Sequence, residues 1–573
     1  MSDNSLKKGR FTKYSNRIGL FSNQTGNYIA NTPEVVLNFP FKDTVLEAGM
    51  SKEDVGRDER FLHLEIDKRD IDTLEEPKVL TNFKYVDKNG EVALTANSDV
   101  ELFDGDGKLK QNLVIKGNNL LTLFSLRERL SKQVKLVYID PPYNTGGDEN
   151  IFSYNNTFNH SSWLVFMKNR LEVARELLRE DGFITIAIDH CELFYLGVVA
   201  DEIFGRDNRL SIITVQHNPK GRNQAKFFSE NSEFLLVYAK NKEKANFQQV
   251  AIDDEVKATF TERDEKGAYR WEPYIRARTV WSRQARPENW YPIYVSKDLK
   301  TITSTKIDDA YELYPTTNTG DFSWKNIKTT FDELNDGKSF KAEIVDGKVI
   351  LYHKYYEQQV LKNVWIAKKY QSEFNGTNLL KGIIGKNDFS YPKSLYAVED
   401  IIKIMSGDND IVLDFFAGSG TTAHAVIEAN KEQGYSRKFI VCEQLEEHID
   451  VMMKRLTKVI DESSFCYFEL KKYNQAFLDR LMEVTSISDV EEVYLDMQKN
   501  AFLKFFFDKK EFEKDENFRS KTWEQRRNML VDILDENQLY LNLLDMRDAK
   551  YKVSNDEMAL TERFYGVQED AEN

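Results

Sequence analysis

IVLDFFAGSGTTAHAV, residues 411–426, runs from a short apolar stretch through a glycine-rich turn into a helix-like segment. A strand, a glycine turn and a helix in that order build a ligand site at a helix N-terminus. Gly418 and Gly420 permit a tight turn and close backbone approach, and the free N–H groups near Thr421 face the ligand. Many glycine turns are purely structural, so the residues around this one decide its meaning. The turn Phe416-Ala417-Gly418-Ser419-Gly420-Thr421 has no third glycine and no Gly-Lys-Ser/Thr, which disfavours pyrophosphate and triphosphate ligands. Asp414 at the strand end suits a cation. The next strand, KFIVCE, ends in Glu443, 23 residues past Gly420, near the ~20 expected of an acid that binds ribose hydroxyls. A positively charged, ribose-bearing ligand points to S-adenosylmethionine (AdoMet), with Asp414, Phe416, Ala417, Gly418, Ser419, Gly420, Thr421 and Glu443 as its candidate contacts.

Working outward, strand and helix patterns alternate on both sides of this unit. Residues 113–125 predict strand, turn and helix, with Asn118 or Asn119 as cap. LVYI (136–139) predicts a buried strand. SSWLVFMKNRLEVARELLRE predicts a helix capped by Ser161 or Ser162 and stopped at Asp181-Gly182. FITIAID, the helix ELFYLGVVADEIF and the strand 233–240 follow; a helix near 394–405 precedes 411–426, and EEHIDVMMKRLTKVI closes the series. Such alternation predicts an α/β fold, a Rossmann-like parallel sheet covered on both faces.

The stretch LVYIDPPYNTGG, 136–147, ends its strand in Asp140, Pro141, Pro142 and Tyr143. The prolines lack N–H groups and terminate the strand. A carboxylate and free carbonyls then project from the sheet edge where ligands of open α/β sheets bind. Two acceptors beside an aromatic face suit a group with two N–H donors on a flat ring, an exocyclic amine of a nucleobase. Accepting both hydrogens frees the nitrogen lone pair for an electrophilic methyl, so positioning and electrostatics carry the rate. Tyr143 would stack on a base flipped from the duplex. The bland alternative is a proline turn with a surface tyrosine.

IDPPY followed by NTG, and DFFAGSGT about 275 residues later, resemble amino-methyltransferases of the permuted β class. The chain resembles still more closely the modification subunits of type III restriction–modification systems. That likeness covers roughly 110–470, through VKLVYIDPPYNTG, SSWLVFMKNRL, DGFITIAIDH, EFLLVYAKN and RKFIVCE. It implies a circularly permuted AdoMet-dependent methyltransferase sheet in which Asp140, Pro141 and Tyr143 hold the target adenine. It also implies that Asp414, Phe416, Gly418, Gly420 and Glu443 bind AdoMet. Lys393 in FSYPKSLYAVEDII would lie beside the methionine moiety; Ser394 stands where the family often has a second proline. GNNL at 117–120 looks like the family's GDNL near the cofactor adenine, with Asn118 in place of the aspartate. Asp140 at the head of the tetrad favours N6 of adenine over N4 of cytosine.

The chain of 573 residues carries a net charge of −15, which argues weakly against nucleic acid. The distribution is uneven. From Gln444 onward there are 19 Lys+Arg against 29 Asp+Glu, whereas Arg270–Pro287 holds five arginines and one acid. With Trp271, Tyr274, Trp281 and Trp290 nearby, Arg270, Arg276, Arg278, Arg283 and Arg286 are candidate DNA contacts. Lys220 and Arg222 are further candidates beside the flipped base. The expected organisation is an N-terminal accessory region (1–95), a catalytic half (96–245), an inserted target-recognition domain (246–370), an AdoMet-binding half (371–475) and an acidic helical C-terminal region (476–573) for dimerisation or partner docking. Expected partners are double-stranded DNA, a second copy and a restriction subunit. Three isolated cysteines and seven histidines show no metal-ligand spacing, and no apolar run spans a bilayer, so no metal, no membrane and a cytoplasmic setting are expected. Rival readings are a solitary adenine methyltransferase, an N4-cytosine enzyme, an enzyme acting on RNA or protein amides, and a catalytically dead DNA-binding relative.

Overall fold

The computed structural model describes residues 76–145, 160–221, 227–358, 360–386, 389–500, 521–535 and 540–567, with the backbone of six short strands between Phe11 and Leu62. Arg222 and most of the region 1–95 lie outside the described residues. The chain divides into two compact units, Met1–Gln248 with Lys362–Asn573, and Gln249–Leu361.

The first unit is built on one mixed sheet of eleven strands. In chain order they are β1 (Leu80–Asp87), β2 (Gly90–Ala93), β3 (Asn112–Lys116), β4 (Val134–Ile139), β5 (Leu178–Ile188), β6 (Arg209–Val215), β7 (Glu233–Ala239), β8 (Val364–Trp365), β9 (Ile411–Asp414), β10 (Lys438–Glu443) and β11 (Phe465–Leu470). Across the sheet they run β8-β6-β7-β5-β4-β9-β10-β3-β11-β1-β2. The six from β5 to β11 are parallel. β7 is antiparallel to both β5 and β6, which departs from the all-parallel expectation. The reason is connectivity: only 17 residues join β6 to β7, and among those described there is no helix to make the usual parallel crossover.

Ten helices are used below: α1 (Asn119–Leu130), α2 (His160–Leu177), α3 (Leu193–Phe204), α4 (Leu395–Met405), α5 (Thr421–Gln433), α6 (Glu446–Val459), α7 (Asn474–Glu483), α8 (Ile487–Asn500), α9 (Trp523–Asp535) and α10 (Asn555–Tyr565). One sheet face, carrying Ile115, Ile139, Ile186, Leu413 and Ile440, packs on α1, α2, α3 and α10. α4 contacts β4 and β5 from the other face, where Thr185 meets Met405. Leu136, Val137, Ile139, Ile184 and Val412 are fully buried, which is why these strands read as continuous apolar runs. α2 ends at Leu177, short of the expected stop at Asp181-Gly182. Leu178 pairs with Val134, and Lys135 on β4 binds both the carboxylate and the carbonyl of Asp181, so this segment is drawn into β5. Ser161 and Ser162 lie buried in the first turn of α2, which begins at His160.

Segments outside the α/β series also build on the sheet. β1 and β2, expected in an accessory region, extend its far edge. Thr561 of α10 bonds both backbone groups of Leu80, and Leu560 and Phe564 enter the main core. The helices α7, α8 and α9 form a separate small core around Leu481, Val490 and Leu530. At its base Lys472 bridges Tyr540, and Leu541 N–H donates to the Lys471 carbonyl.

The second unit has a four-stranded antiparallel sheet, ordered Glu262–Asp264, Gly267–Pro273, Lys348–Tyr356 and Phe340–Val345. Tyr274, Tyr291, Trp324, Phe331 and Phe340 form its core. No helix among the described residues is long and apolar enough to cross a membrane.

Candidate active site

Sheet order explains how two distant segments meet. β4 and β9 are adjacent and parallel, with Leu136 opposite Val412 and Val137 opposite Leu413. Their C-terminal ends therefore deliver Asp140 and Asp414 to the same edge. From β4 the chain winds through α2 to β5 on one side; from β9 it winds through α5 to β10 on the other. The crevice between them is the topological switch point, where open α/β sheets bind ligands.

A cavity of about 1350 Å³ opens there. It is lined by Asp140–Tyr143, by Asp414–Ser419 with Thr421, and by Glu233, Lys393 and Glu443. A pocket for one small ligand is typically ~300–1,000 Å³, so this one has room for a cofactor and a second ring. Among the described residues its lining holds seven carboxylates (Asp140, Asp189, Glu230, Glu233, Glu373, Asp414, Glu443) against one lysine. That balance favours a cationic ligand and opposes a polyphosphate.

The glycine turn is held by its neighbours. Gly418 and Gly420 have φ of 49° and 76°. A Cβ on Gly418 would come within 3.0 Å of Phe389, and one on Gly420 within 2.7 Å of Met452 Cγ. Gly420 itself does not line the cavity; it turns the chain into α5 and packs on α6. Asp414 is buried, accepting from Phe416 N–H at 2.9 Å and from the Thr422 hydroxyl at 2.5 Å. Burial pushes its carboxyl up to about 7, against those two hydrogen bonds and with help from Asp140 and Glu443. Glu443 accepts from the N–H groups of Gly418, Gln444 and Leu445 at 2.8–2.9 Å, and from His448 at 3.5 Å. Burial alone would raise the Glu443 carboxyl, but His448 and the backbone donors hold it below the ordinary value. Its four lone-pair sites are thus engaged, and the long contact to His448 is the one a ribose hydroxyl would replace most easily.

Asn118 does not line the cavity. Its Oδ1 is occupied capping α1, accepting from Leu120 and Leu121 N–H. The neighbouring Asn119 reaches the cavity instead, bonding the Phe415 carbonyl at 2.9 Å and the fully buried Arg170 at 2.7 Å. This chain of contacts fixes the Phe415-Phe416 turn to α1 and α2.

On the other wall, the Pro142 carbonyl accepts from the buried Trp163 indole at 2.8 Å. Asn144 adopts φ of 55° and donates to the buried Glu192 at 2.6 Å. Lys393 sits on this wall, joined to the Asp-Pro-Pro-Tyr segment. Its ammonium lies 3.3 Å from Asp140, makes short contacts with Glu233 and the Tyr143 hydroxyl, and lies 4.5 Å from the Tyr143 ring centre. The Tyr143 hydroxyl donates to Glu233 at 3.1 Å. Burial raises the Asp140 carboxyl, Lys393 opposes, Glu233 adds, and the result stays above the ordinary range. For Glu233 burial also raises, but Lys393 and His217 bring it below. Burial would lower Lys393, yet Asp140 and Glu233 hold it well above an ordinary lysine.

Glu233 and Glu192 are the site residues sequence reading missed. The available signal was an acid opening an otherwise apolar strand, EFLLVYA. Ser394 donates its hydroxyl to the Lys369 carbonyl, bracing the start of α4. One other cluster, Asp189, His190 and Cys191, brings ligand atoms within 4.8 Å of one another. Asp189 accepts from Cys191 N–H, and burial pushes the free thiol up to about 12.

The candidate DNA contacts separate by environment. Arg270 is engaged by Glu272 and Thr259 and stacks over Phe260, so it braces the second unit's sheet. Tyr274 is core. Arg276, Arg278, Arg283 and Arg286 are exposed, with Arg276 and Arg286 over Trp281 and Arg283 over Trp290. In the first unit, exposed Lys220 pairs with Glu373 at 3.0 Å.

A switch-point cavity with a cofactor turn on one wall and a carboxylate–proline–aromatic edge on the other defines a methyltransferase that acts on amines. Residues 134–454 match the DNA methylase model of N6/N4 methyltransferases, and the chain belongs to that family. Its methyl donor is S-adenosylmethionine. The chain is 28% identical to the "probable type III restriction-modification enzyme HindVI Mod subunit" of Haemophilus influenzae, across 97% of this chain and 88% of that one. It is 34% identical to the type III restriction-modification enzyme EcoPI Mod subunit of Escherichia phage P1, over 60% of this chain and 59% of that one. It is 30% identical to the type II methyltransferase M.KpnI of Klebsiella pneumoniae, over 62% of this chain and 89% of that one.

Proposed function

We propose that this protein methylates N6 of a flipped-out adenine in duplex DNA and serves as the modification subunit of a type III restriction–modification system. The observation that carries the reading is the adjacency of β4 and β9, which puts Asp140 and Asp414 in one cavity. The likeness to the HindVI Mod subunit, over 97% of this chain and 88% of that one, supports the system assignment.

AdoMet, held by Asp414, the Phe416–Thr421 turn and Glu443, supplies a methyl group on a cationic sulfur. The residues fit it: the acidic lining suits the charge and Gly418 leaves no side chain in the cradle. Asp140 and the Pro141 carbonyl accept the two N6 hydrogens, which localises the nitrogen lone pair and aims it at the methyl. Tyr143 provides the stacking face, and Trp163 fixes the Pro142 peptide behind it. As the N–C bond forms, the amine acquires a positive charge that the Asp140 carboxylate stabilises, and the surplus proton leaves to that acceptor. The exposed Arg276, Arg278, Arg283 and Arg286 cluster, with its two tryptophans, serves target recognition. Arg270 is withdrawn from that role because its donors are engaged. The acidic lobe α7–α9 serves a second copy or a restriction subunit, and the reaction on DNA sets the enzyme in the cytoplasm.

The test is transfer from tritiated AdoMet to duplex DNA, followed by nucleoside analysis. Label is expected in N6-methyladenine; label in N4-methylcytosine, or none on DNA, overturns the reading. Co-expression with the restriction subunit of a type III system and size measurement tests the partner; failure to co-purify would count against it.

A further inference from the structure

We propose that Glu233 is a positioning residue for methyl transfer: it draws Lys393 and the Tyr143 hydroxyl to itself and so leaves an Asp140 oxygen open for the target amine. This rests on the amine-methylation reading above. Among the described residues Lys393 is the only Lys or Arg lining the cavity, and it has two carboxylates to choose between. Its contact with Glu233 is short, whereas Asp140 stands at 3.3 Å, beyond the ~2.7–2.9 Å of a well-formed charge-assisted bond. The ammonium therefore belongs chiefly to Glu233. Glu233 also receives the Tyr143 O–H at 3.1 Å, so this carboxylate binds both the lysine and the ring that would stack on the base, while the Tyr143 hydroxyl also interacts with Asp140, which leaves one Asp140 oxygen for the amine. Its own side chain is only 9% exposed, and it stands at the first position of β7, a rigid support.

The consequence is a division of labour between two acids. Glu233 neutralises the buried cation. Asp140 keeps its charge without being covered by it; burial raises its carboxyl above the ordinary value, whereas Lys393 and His217 bring that of Glu233 below its own. A more basic oxygen is the better acceptor for an N–H that becomes acidic as the methyl bond forms. Without Glu233, Lys393 has only Asp140 left to pair with, and it would occupy the oxygen the amine needs. The other groups facing this network are Tyr138 and Asp414 near Asp140, and His217 near Glu233.

The experiment compares wild type with Glu233→Gln in single-turnover transfer to duplex DNA over about pH 5 to 9. The plateau rate is expected to fall about ten- to a hundredfold. The acid limb should move to lower pH, because Asp140 loses a neighbouring anion and gains a closer cation. DNA and AdoMet affinities should change little. An unchanged plateau overturns the proposal, and so does a lowered plateau with an unmoved limb, which marks a structural effect only. A second arm needs no substrate: the melting of Lys393→Met and of Lys393→Met with Glu233→Gln. The single change leaves the buried Glu233 and the partly buried Asp140 without their cation, so the double variant should melt higher. A double variant melting at or below the single one overturns the Glu233–Lys393 pairing, whatever the enzyme's substrate proves to be.

Discussion

Asp414 offers a titration that couples folding to cofactor capture. Its carboxyl sits at about 7 in the free protein, against an unfolded value near 3.8. At pH 8 nearly all molecules carry the charge, while at pH 6 only about one in ten does. If the anion is what attracts the sulfonium, AdoMet affinity should be flat above about pH 7.5 and weaken about tenfold per unit below about 6.5. Binding near pH 7 should release about half a proton, seen as a calorimetric heat that varies with the buffer's ionisation enthalpy. The stability sign runs the other way from a salt-bridged acid. Between the unfolded and folded values the native state holds more protons than the unfolded one, so stability falls as pH rises through that window. The full loss is about 4 kcal/mol, from roughly three pKa units at ~1.36 kcal/mol each. Asp414→Asn should recover most of it at pH 8. The amide oxygen can still accept from Phe416 N–H, and the Thr422 hydroxyl can turn to accept from the amide. The variant should therefore melt higher than wild type at pH 8, by a gap that narrows as pH falls and closes only below about pH 4, and bind AdoMet weakly and without pH dependence. A wild-type affinity that is flat from about pH 5.5 to 8.5, with buffer-independent heats, would refute the reasoning.

Three further outcomes are expected. Asp140→Asn should cut single-turnover methylation by about 10²–10³-fold or more while leaving calorimetric AdoMet affinity within about twofold; a full rate would remove Asp140 from the chemistry. Gly420→Ala meets both a φ of 76° and a Cβ 2.7 Å from Met452 Cγ, so at least ~1–2 kcal/mol of strain should weaken AdoMet binding about tenfold or more. Adding Met452→Ala should relieve the contact and leave the backbone cost. Each alanine at Arg276, Arg278, Arg283 or Arg286 that removes a phosphate contact should lower the salt-dependence slope of DNA binding by about 1, whereas Arg270→Ala should lower the melting temperature without changing that slope.

The sequence disclosed what is local. Gly418, Gly420, Pro141 and Pro142 carry their backbone consequences with them, so the cofactor turn and the strand end at Asp140 were legible without any fold. The direction of β7 was not, because an apolar strand looks the same in either orientation. The Asp181-Gly182 breaker failed for a tertiary reason: the Lys135 contact and pairing with β4 draw the last turn of the expected helix into a strand. Glu233 stayed hidden because its meaning depends on Lys393, 160 residues later, and an acid before an apolar run usually meets solvent. Asn118 misled in the opposite way. Its likeness to a motif position was visible, but only geometry shows its side chain committed to the helix cap.

The base of the α7–α9 lobe has a consequence for how the chain can be edited. Lys471 and Leu541 are hydrogen-bonded neighbours, Lys472 pairs with Tyr540, and Leu541 in turn receives Val79. About 65 residues therefore leave the sheet and return to the place they left, closing a loop whose ends already touch. Closure of this kind makes an excursion modular, since a short turn could join its two feet without a break in the sheet. A partner seated on the lobe would then be gained or lost as a cassette, with β11, β1 and α10 still closing the far edge of the methylating sheet.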